Sequence, residues 1–246
     1  MRVTRFLAAA ALGLMSTLAL ADNADQNIRK TLQALQPDLP IDSIASSPLQ
    51  GLYQVQLKGG RVLYASADGQ FVMQGYLYQV KDGKPVNLTE KAESQAIAKA
   101  INGVPASEMV VYPAKGQAKG QAKAHITVFT DTTCPYCQKL HAEVPDLTEQ
   151  GIEVRYMAFP RQGPQSAGDK QLQAVWCAKE PTKAMDAMMN GKEIKSSECK
   201  NPVDKQFQMG QMVGVQGTPA IVLANGQLLP GYQPAKQLAK LALEAK

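Results

Sequence analysis

Ile126-Thr-Val-Phe-Thr-Asp-Thr-Thr-Cys134-Pro135-Tyr136-Cys137-Gln-Lys-Leu140 is the stretch from which the rest of the chain can be read. Its first half is β-branched and aromatic and then halts at polar residues, the pattern of a buried strand. Pro135 stands where the first turn of a helix tolerates proline, because an N–H there has no helical partner to lose. The spacing therefore predicts strand, turn and helix, with two thiols at the joint. At a helix start the unpaired N–H groups and the dipole favour negative charge, so Cys134 is expected to ionise more easily than a free thiol. Cys137 lies one turn on, less exposed, within reach to close a disulfide or release a trapped one. That is dithiol chemistry, and it points to a thiol–disulfide oxidoreductase.

A Cys-x-x-Cys is also half of many zinc sites. Here the other two cysteines, Cys177 and Cys199, form no second close pair, and His125 and His141 lack ligand spacing, so neither metal nor cofactor is expected. Haem attachment requires histidine directly after Cys137, and Gln138 stands there instead.

The N-terminus bears on how the cysteines are read. Met1-Arg-Val-Thr-Arg5, an apolar run from Phe6 to Leu20 and Leu18-Ala-Leu-Ala21 before Asp22 have the layout of a secretory signal peptide over residues 1–21. Gly13, Ser16 and Thr17 interrupt the run, which argues against a membrane anchor. An exported chain permits stable disulfides, so four cysteines divide naturally into two pairs. The formal charge of +5 includes Arg2 and Arg5; the 24 other basic residues against 21 acidic ones are too evenly balanced to imply nucleic acid. No other stretch is apolar for long enough to span a bilayer.

From Asp22 the chain falls into two parts of different pattern, an α+β organisation. Ile28, Leu32 and Leu35 repeat at helical spacing until Pro37 and Pro40. Short alternating runs over 41–44, 53–57, 61–65, 71–73 and 76–80 follow, divided by Gly59-Gly60, Asp68-Gly69 and Asp82-Gly83, as in an antiparallel meander. A module of residues 22–81 buries little surface for its size, and self-association is one remedy. Asn87 and Glu90 form a helix-start pair, and the Ala-rich segment to Ile101 has a thin apolar face suited to a linker, placed over 82–106. Residues 114–124, an imperfect Ala-Lys-Gly-Gln repeat, read as a flexible loop. After the catalytic strand and helix, which Pro145 is expected to kink, come a strand over 152–159 and helices over 165–178, 182–189 and 203–212. Met185, Met188, Met189, Met209 and Met212 are expected as core filler. A hairpin turning at Asn225-Gly226 and a helix over 234–245 close the chain. Residues 107–246 thus have the order of a thioredoxin-like domain with a helical insertion.

Several motifs taken together, Thr130-Asp-Thr-Thr-Cys134-Pro-Tyr-Cys137-Gln-Lys-Leu-His141, Tyr156-Met-Ala-Phe-Pro-Arg-Gln-Gly163, Trp176-Cys-Ala-Lys179, Gly217-Thr-Pro-Ala220 and Leu229-Pro-Gly-Tyr-Gln-Pro234, resemble the DsbC/DsbG family of periplasmic protein-disulfide isomerases. The resemblance extends through Tyr64, Gly69 and Gly75 of the small module. It implies a homodimer joined through the N-terminal modules, an uncharged cleft for misfolded disulfide-containing clients, chaperone activity, and a DsbD-type membrane reductant that restores the dithiol. It also implies a cis Thr218-Pro219 bond against the cysteines, with Thr218, Pro219, Pro135 and Tyr136 meeting the client. Pro135-Tyr136 resembles the DsbG branch, whereas Cys177 and Cys199 resemble the structural disulfide of the DsbC branch. A bridge closing that loop would contribute on the order of 3 kcal/mol.

Three functions follow from these readings: an isomerase, a DsbG-like reductase or disulfide-introducing oxidase, and, least supported, a binding module with inert cysteines. Cys177 and Cys199 have a structural reading and, as rival, a second redox pair. His125 and His141 are expected to be non-catalytic, with His141 on the solvent face of its helix.

Overall fold

The computed structural model describes residues 23–116, 121–195 and 198–245. The expected signal peptide therefore lies outside the described residues, as do positions 117–120 of the Ala-Lys-Gly-Gln segment. The chain divides into two compact units, residues 1–93 and 94–246, and the boundary falls inside one helix.

In the first unit, helix α1 (23–35) precedes strands β1 (Ile41–Ser46), β2 (Leu52–Leu57), β3 (Val62–Ser66) and β4 (Val72–Met73), an antiparallel sheet in the order β1-β2-β3-β4. The helical repeat of Ile28 and Leu32 meets the inward residues Val55, Leu57 and Ala65. A hairpin follows, β5 (Tyr78–Lys81) with β6 (Lys84–Asn87); β6 has no counterpart in the sequence reading, because Lys84-Pro85-Val86-Asn87 carries one apolar β-former and is exposed almost throughout. Helix α2 (Leu88–Asn102) begins as its spacing predicts. Asn87 Oδ1 accepts from Glu90 N–H at 3.1 Å, and the amide of Asn87 donates back to Glu90 Oε2 at 3.2 Å.

The second unit contains a five-stranded sheet in the order β11-β10-β8-β9-β7. Its strands are β7 (Val110–Tyr112), β8 (Ala124–Thr130), β9 (Ile152–Ala158), β10 (Ala220–Leu223) and β11 (Leu228–Pro230). Only β8 and β9 are parallel, with Val128 opposite Tyr156; the other pairs are antiparallel. Because side chains alternate along a strand, Ile126 and Val128 face one core while Phe129 faces the other. Helices α3 (Pro135–Ala142), α4 (Val144–Glu149), α5 (Ala167–Trp176), α6 (Pro181–Met189), α7 (Val203–Met212) and α8 (Ala235–Glu244) complete the unit.

Three expectations change. Pro145 does not bend one helix; it ends α3 and sits in the first turn of α4, since a proline ring cannot follow the carbonyl four residues back in a continuous helix. The thin apolar face of α2 is no mere connector: Ile97 and Ile101 are buried against the Phe129, Met157 and Val222 face of the sheet. Met185, Met188 and Met189 lie in the core as expected, but Met212 is 47% exposed.

Candidate active site

Cys134 is the N-cap of α3, in extended backbone (φ −91°, ψ 119°), with Pro135 in the first turn. The loop that delivers it is pinned by Asp131, which is buried. One oxygen of Asp131 accepts from Thr133 N–H at 2.9 Å and its hydroxyl at 2.6 Å; the other accepts from Arg161 N–H at 2.9 Å and Nε at 3.2 Å. Gly168 lets α5 approach that carboxylate, since a Cβ there would stand 2.7 Å from Asp131 Oδ1. Asp131, Arg161 and Gly168 were not singled out by sequence reasoning. Asp131 and Arg161 stand within the motifs quoted above with no role assigned to either; the local signal for one is Asp131 two residues before Thr133, the spacing of a side chain that bonds its own turn.

Beside the cysteines, the Thr218-Pro219 peptide bond is cis, and Cys134 Sγ lies 3.2 Å from the Thr218 carbonyl oxygen. The structure thus gathers Cys134, Cys137, Pro135, Tyr136, Thr218 and Pro219 at one end of the sheet. Beside Thr218 opens a largely apolar cavity of about 370 Å³ lined by residues 214–218 together with Ala220, Leu228, Pro230 and Gly231. Tyr136 projects outward, 62% exposed.

The expected contrast in surface exposure between the thiols is absent: Cys134 is 2% exposed and Cys137 1%. What differs is how much protein surrounds each sulfur, Cys137 being far more deeply enclosed. The Cys137 thiol, donating toward Cys134, is the main cause that lowers the latter to about 5, and the Thr218 hydroxyl and the N–H groups of Cys137 and Tyr136 add to it against the cost of burial. Burial first, and then Cys134, push Cys137 far above the ordinary thiol value. The helix start thus contributes as expected, but each of its N–H groups counts for less than the partner thiol and the Thr218 hydroxyl. The hydroxyls of Thr130 and Thr218 bear on these sulfurs and have no oxygen or nitrogen partner. Near neutral pH these shifts favour thiolate on Cys134 and thiol on Cys137, the combination that thiol–disulfide exchange uses.

Cys177 and Cys199 lie apart from the pair, joined by a disulfide with Cα atoms 5.6 Å apart. His141 is not on a solvent face. It is 8% exposed, on the buried side of α3 with Cys137 and Leu140, hydrogen-bonded to Tyr156 and Asp186. Among the described residues no cluster of three or more His, Cys, Asp or Glu side chains stands ready for a metal ion, and no helix is long and apolar enough to cross a membrane.

Residues 111–246 match the thioredoxin-like domain family, and residues 19–90 match the disulfide bond isomerase protein N-terminal domain. The chain is 41% identical to the thiol:disulfide interchange protein DsbC of Escherichia coli (strain K12), over 92% of this chain and 90% of that protein. It is 37% identical to the protein of the same name from Haemophilus influenzae, over 91% of each. Among solved structures, a disulfide interchange protein from Neisseria gonorrhoeae aligns with a TM-score of 0.49 at 26% identity, covering 57% of this chain and 99% of that one.

Proposed function

Because the chain belongs to the DsbC family of thiol:disulfide interchange proteins, we propose that Cys134 and Cys137 are its working dithiol and that it isomerises wrong disulfides in exported proteins. The observation that carries this reading is the placement of the two thiols: Cys134 is the N-cap of α3 beside the cis Thr218-Pro219 bond, and Cys137 is buried one turn further along the same helix, where burial favours its protonated form. The thiolate of Cys134 attacks a client disulfide, forming a mixed disulfide and freeing a client thiolate. That thiolate exchanges with another client disulfide, and the client thiolate released in turn attacks the client sulfur of the mixed disulfide, forming a new client disulfide and releasing Cys134 as thiolate. When rearrangement stalls, Cys137 attacks Cys134 instead; the client leaves reduced and the dithiol leaves oxidised, to be restored by a DsbD-type membrane reductant.

Thr218, Pro219, Pro135 and Tyr136 are assigned to client contact. Their support is position: the Thr218 carbonyl lies against Cys134, Tyr136 projects beside it, and the apolar cavity adjoins Thr218. Backbone pairing at Thr218 would give affinity without sequence preference, as a client of any sequence requires. Residues 22–81 are assigned to homodimer formation, 82–106 to the linker and 107–246 to catalysis. For the dimer the support is a set of exposed apolar side chains: Met73, Tyr78 and Val80 on the short edge strands β4 and β5, and Phe71 and Tyr76 in the segments just before those strands. Two dithiols serving one misfolded client also fit a chaperone role. The periplasm, reached after cleavage of residues 1–21, is the compartment in which such clients carry disulfides. The Cys177–Cys199 bridge is assigned a structural role.

Refolding of a protein with scrambled disulfides tests the reading. The reduced chain is expected to restore native pairing, Cys134→Ser to abolish this, and Cys137→Ala to accumulate mixed disulfides with the client. Pro135-Tyr136 favours the oxidase or DsbG-like reading. A chain that joins reduced client thiols yet leaves scrambled pairs uncorrected would establish that reading in place of isomerisation.

A further inference from the structure

Cys137 has a proton problem. To attack a mixed disulfide it must become a thiolate, yet Cys137 is 1% exposed and burial favours the protonated form. The groups that bear on it are Cys134, Thr130, Thr218 and a backbone group of Asp131. In the free dithiol the Cys134 thiolate can share the proton, but once Cys134 is joined to a client it has no charge and accepts nothing. The acceptor for the resolving step has to lie elsewhere.

The same helix face supplies one. His141 is four residues after Cys137 on α3, so the two stand on successive turns of the buried face. Tyr156, wholly buried on β9, packs in the same core as Cys137. His141 Nδ1 lies 3.1 Å from the Tyr156 hydroxyl, and Nε2 lies 3.0 Å from Asp186 Oδ1. A carboxylate only accepts, so Nε2 carries the hydrogen and Nδ1 presents its lone pair to the tyrosine hydroxyl. Tyr112 on β7 donates to the same Asp186 oxygen at 2.6 Å and packs edge-on against the imidazole, centroids 5.5 Å apart. The groups facing His141 are therefore Tyr156 from β9, Tyr112 from β7, Asp186 from α6 and Cys137 from its own helix. Asp186 is the one formal charge, and its side chain, 52% exposed, opens the line to solvent.

We propose that Tyr156, His141 and Asp186 form a proton relay that takes the proton of Cys137 as Cys137 resolves a mixed disulfide on Cys134. The Cys137 S–H proton passes to the Tyr156 oxygen while the Tyr156 proton passes to His141 Nδ1. The freed electron pair on Cys137 Sγ attacks Cys134 Sγ, and the Cys134–client S–S bond breaks with its electron pair on the client sulfur. Cys137 and Cys134 end oxidised as a disulfide, the client sulfur ends reduced as a thiolate, and the imidazolium stabilised by Asp186 returns its proton to that thiolate or to water. Burial keeps His141 neutral near pH 7, ready to accept. The proposal rests on Cys137 being the resolving thiol.

The test mixes the reduced full-length protein with a nitrobenzoate disulfide whose thiolate is coloured. The first phase of colour release reports attack by Cys134 and the second reports closure by Cys137. With the relay, closure above about pH 7 is nearly independent of pH, because the base is already neutral imidazole. Gln keeps groups able to bond Tyr156 and Asp186 but takes up no proton. In His141→Gln closure should therefore slow by about a hundredfold, the lower end of the general-base range, and rise about tenfold per pH unit as free thiolate becomes the only route. Tyr156→Phe should show the same slope, and Asp186→Asn a smaller slowing. Closure in His141→Gln matching the parent in rate and pH slope would overturn the relay; if that variant does not fold, unchanged closure in both Tyr156→Phe and Asp186→Asn would do so. A parent protein with no first phase would sink the dithiol assignment itself, a different signature.

Discussion

At Cys134 the negative charge depends on a hydrogen bond that the same molecule can withdraw. The largest cause of its lowered pKa is the thiol of Cys137, so the charge has its main stabilisation only while Cys137 remains reduced and protonated. Replacing Cys137 by Ala should move the Cys134 titration up from about 5 toward the ordinary value of 9.0, whereas Ser, which retains a donor, should hold it lower. Ultraviolet thiolate absorbance across pH measures both; coincident curves for the two variants would show that the helix N–H groups suffice. The depressed value also sets a pH dependence. A group whose folded pKa is lowered stabilises the fold above its unfolded pKa and loses that stabilisation as pH falls through its folded pKa. The reduced protein should therefore gain stability as pH rises between about 5 and 9.0, most of it absent below about 5. Urea midpoints of the reduced form, set against Cys134→Ser, should diverge across that window.

At the scale of elements, the catalytic sheet is held from behind by a contact made at close range. The β10–β11 turn reaches α2, and at Gly226 (φ +88°) an added Cβ would stand 1.8 Å from the Ser94 carbonyl oxygen and 2.6 Å from Ala98 N. Asn102 near the end of the helix donates to the Ala224 carbonyl at 3.0 Å and meets His125 Nε2 at 3.0 Å, so helix, turn and β8 are tied at one corner. Gly226→Ala both forces a left-handed backbone on a residue with a side chain and drives backbone against backbone. It should cost about 1–3 kcal/mol, read as a lower urea midpoint with an unchanged slope. The dipeptide Asn225-Gly226 announces the turn, and nothing near it announces the helix it touches. Pro145 teaches the converse, since a local rule predicted a disturbance and only packing showed whether the helix bends or restarts.

For the molecule as a whole, the exposed apolar side chains of the first unit are the feature that a single chain leaves uncovered. Phe71 is 72% exposed and Val80 73%. Phe71→Asp with Val80→Asp should convert a dimer into monomers by light scattering, with isomerisation lost and the Cys134 titration unmoved, because the groups that lower it, Cys137, Thr218 and Tyr136, all belong to the second unit. A parent chain of monomer mass would remove the assignment of residues 22–81 to self-association.

The alternation of Ile126 to Thr130, the proline after Cys134, the Asn87–Glu90 pair and the helical repeats of α1, α7 and α8 are local signals. They set the elements, their order and the family resemblance, because backbone sterics, capping and amphipathic spacing act between residues a few positions apart. The burial of Cys134, the pinning of its loop by Asp131 with Arg161 and Gly168, the core role of α2 and the line from Tyr156 through His141 to Asp186 join residues that the chain keeps far apart. Those were settled only by tertiary packing, since what a buried polar group becomes depends on which distant partners the fold sets within hydrogen-bonding distance.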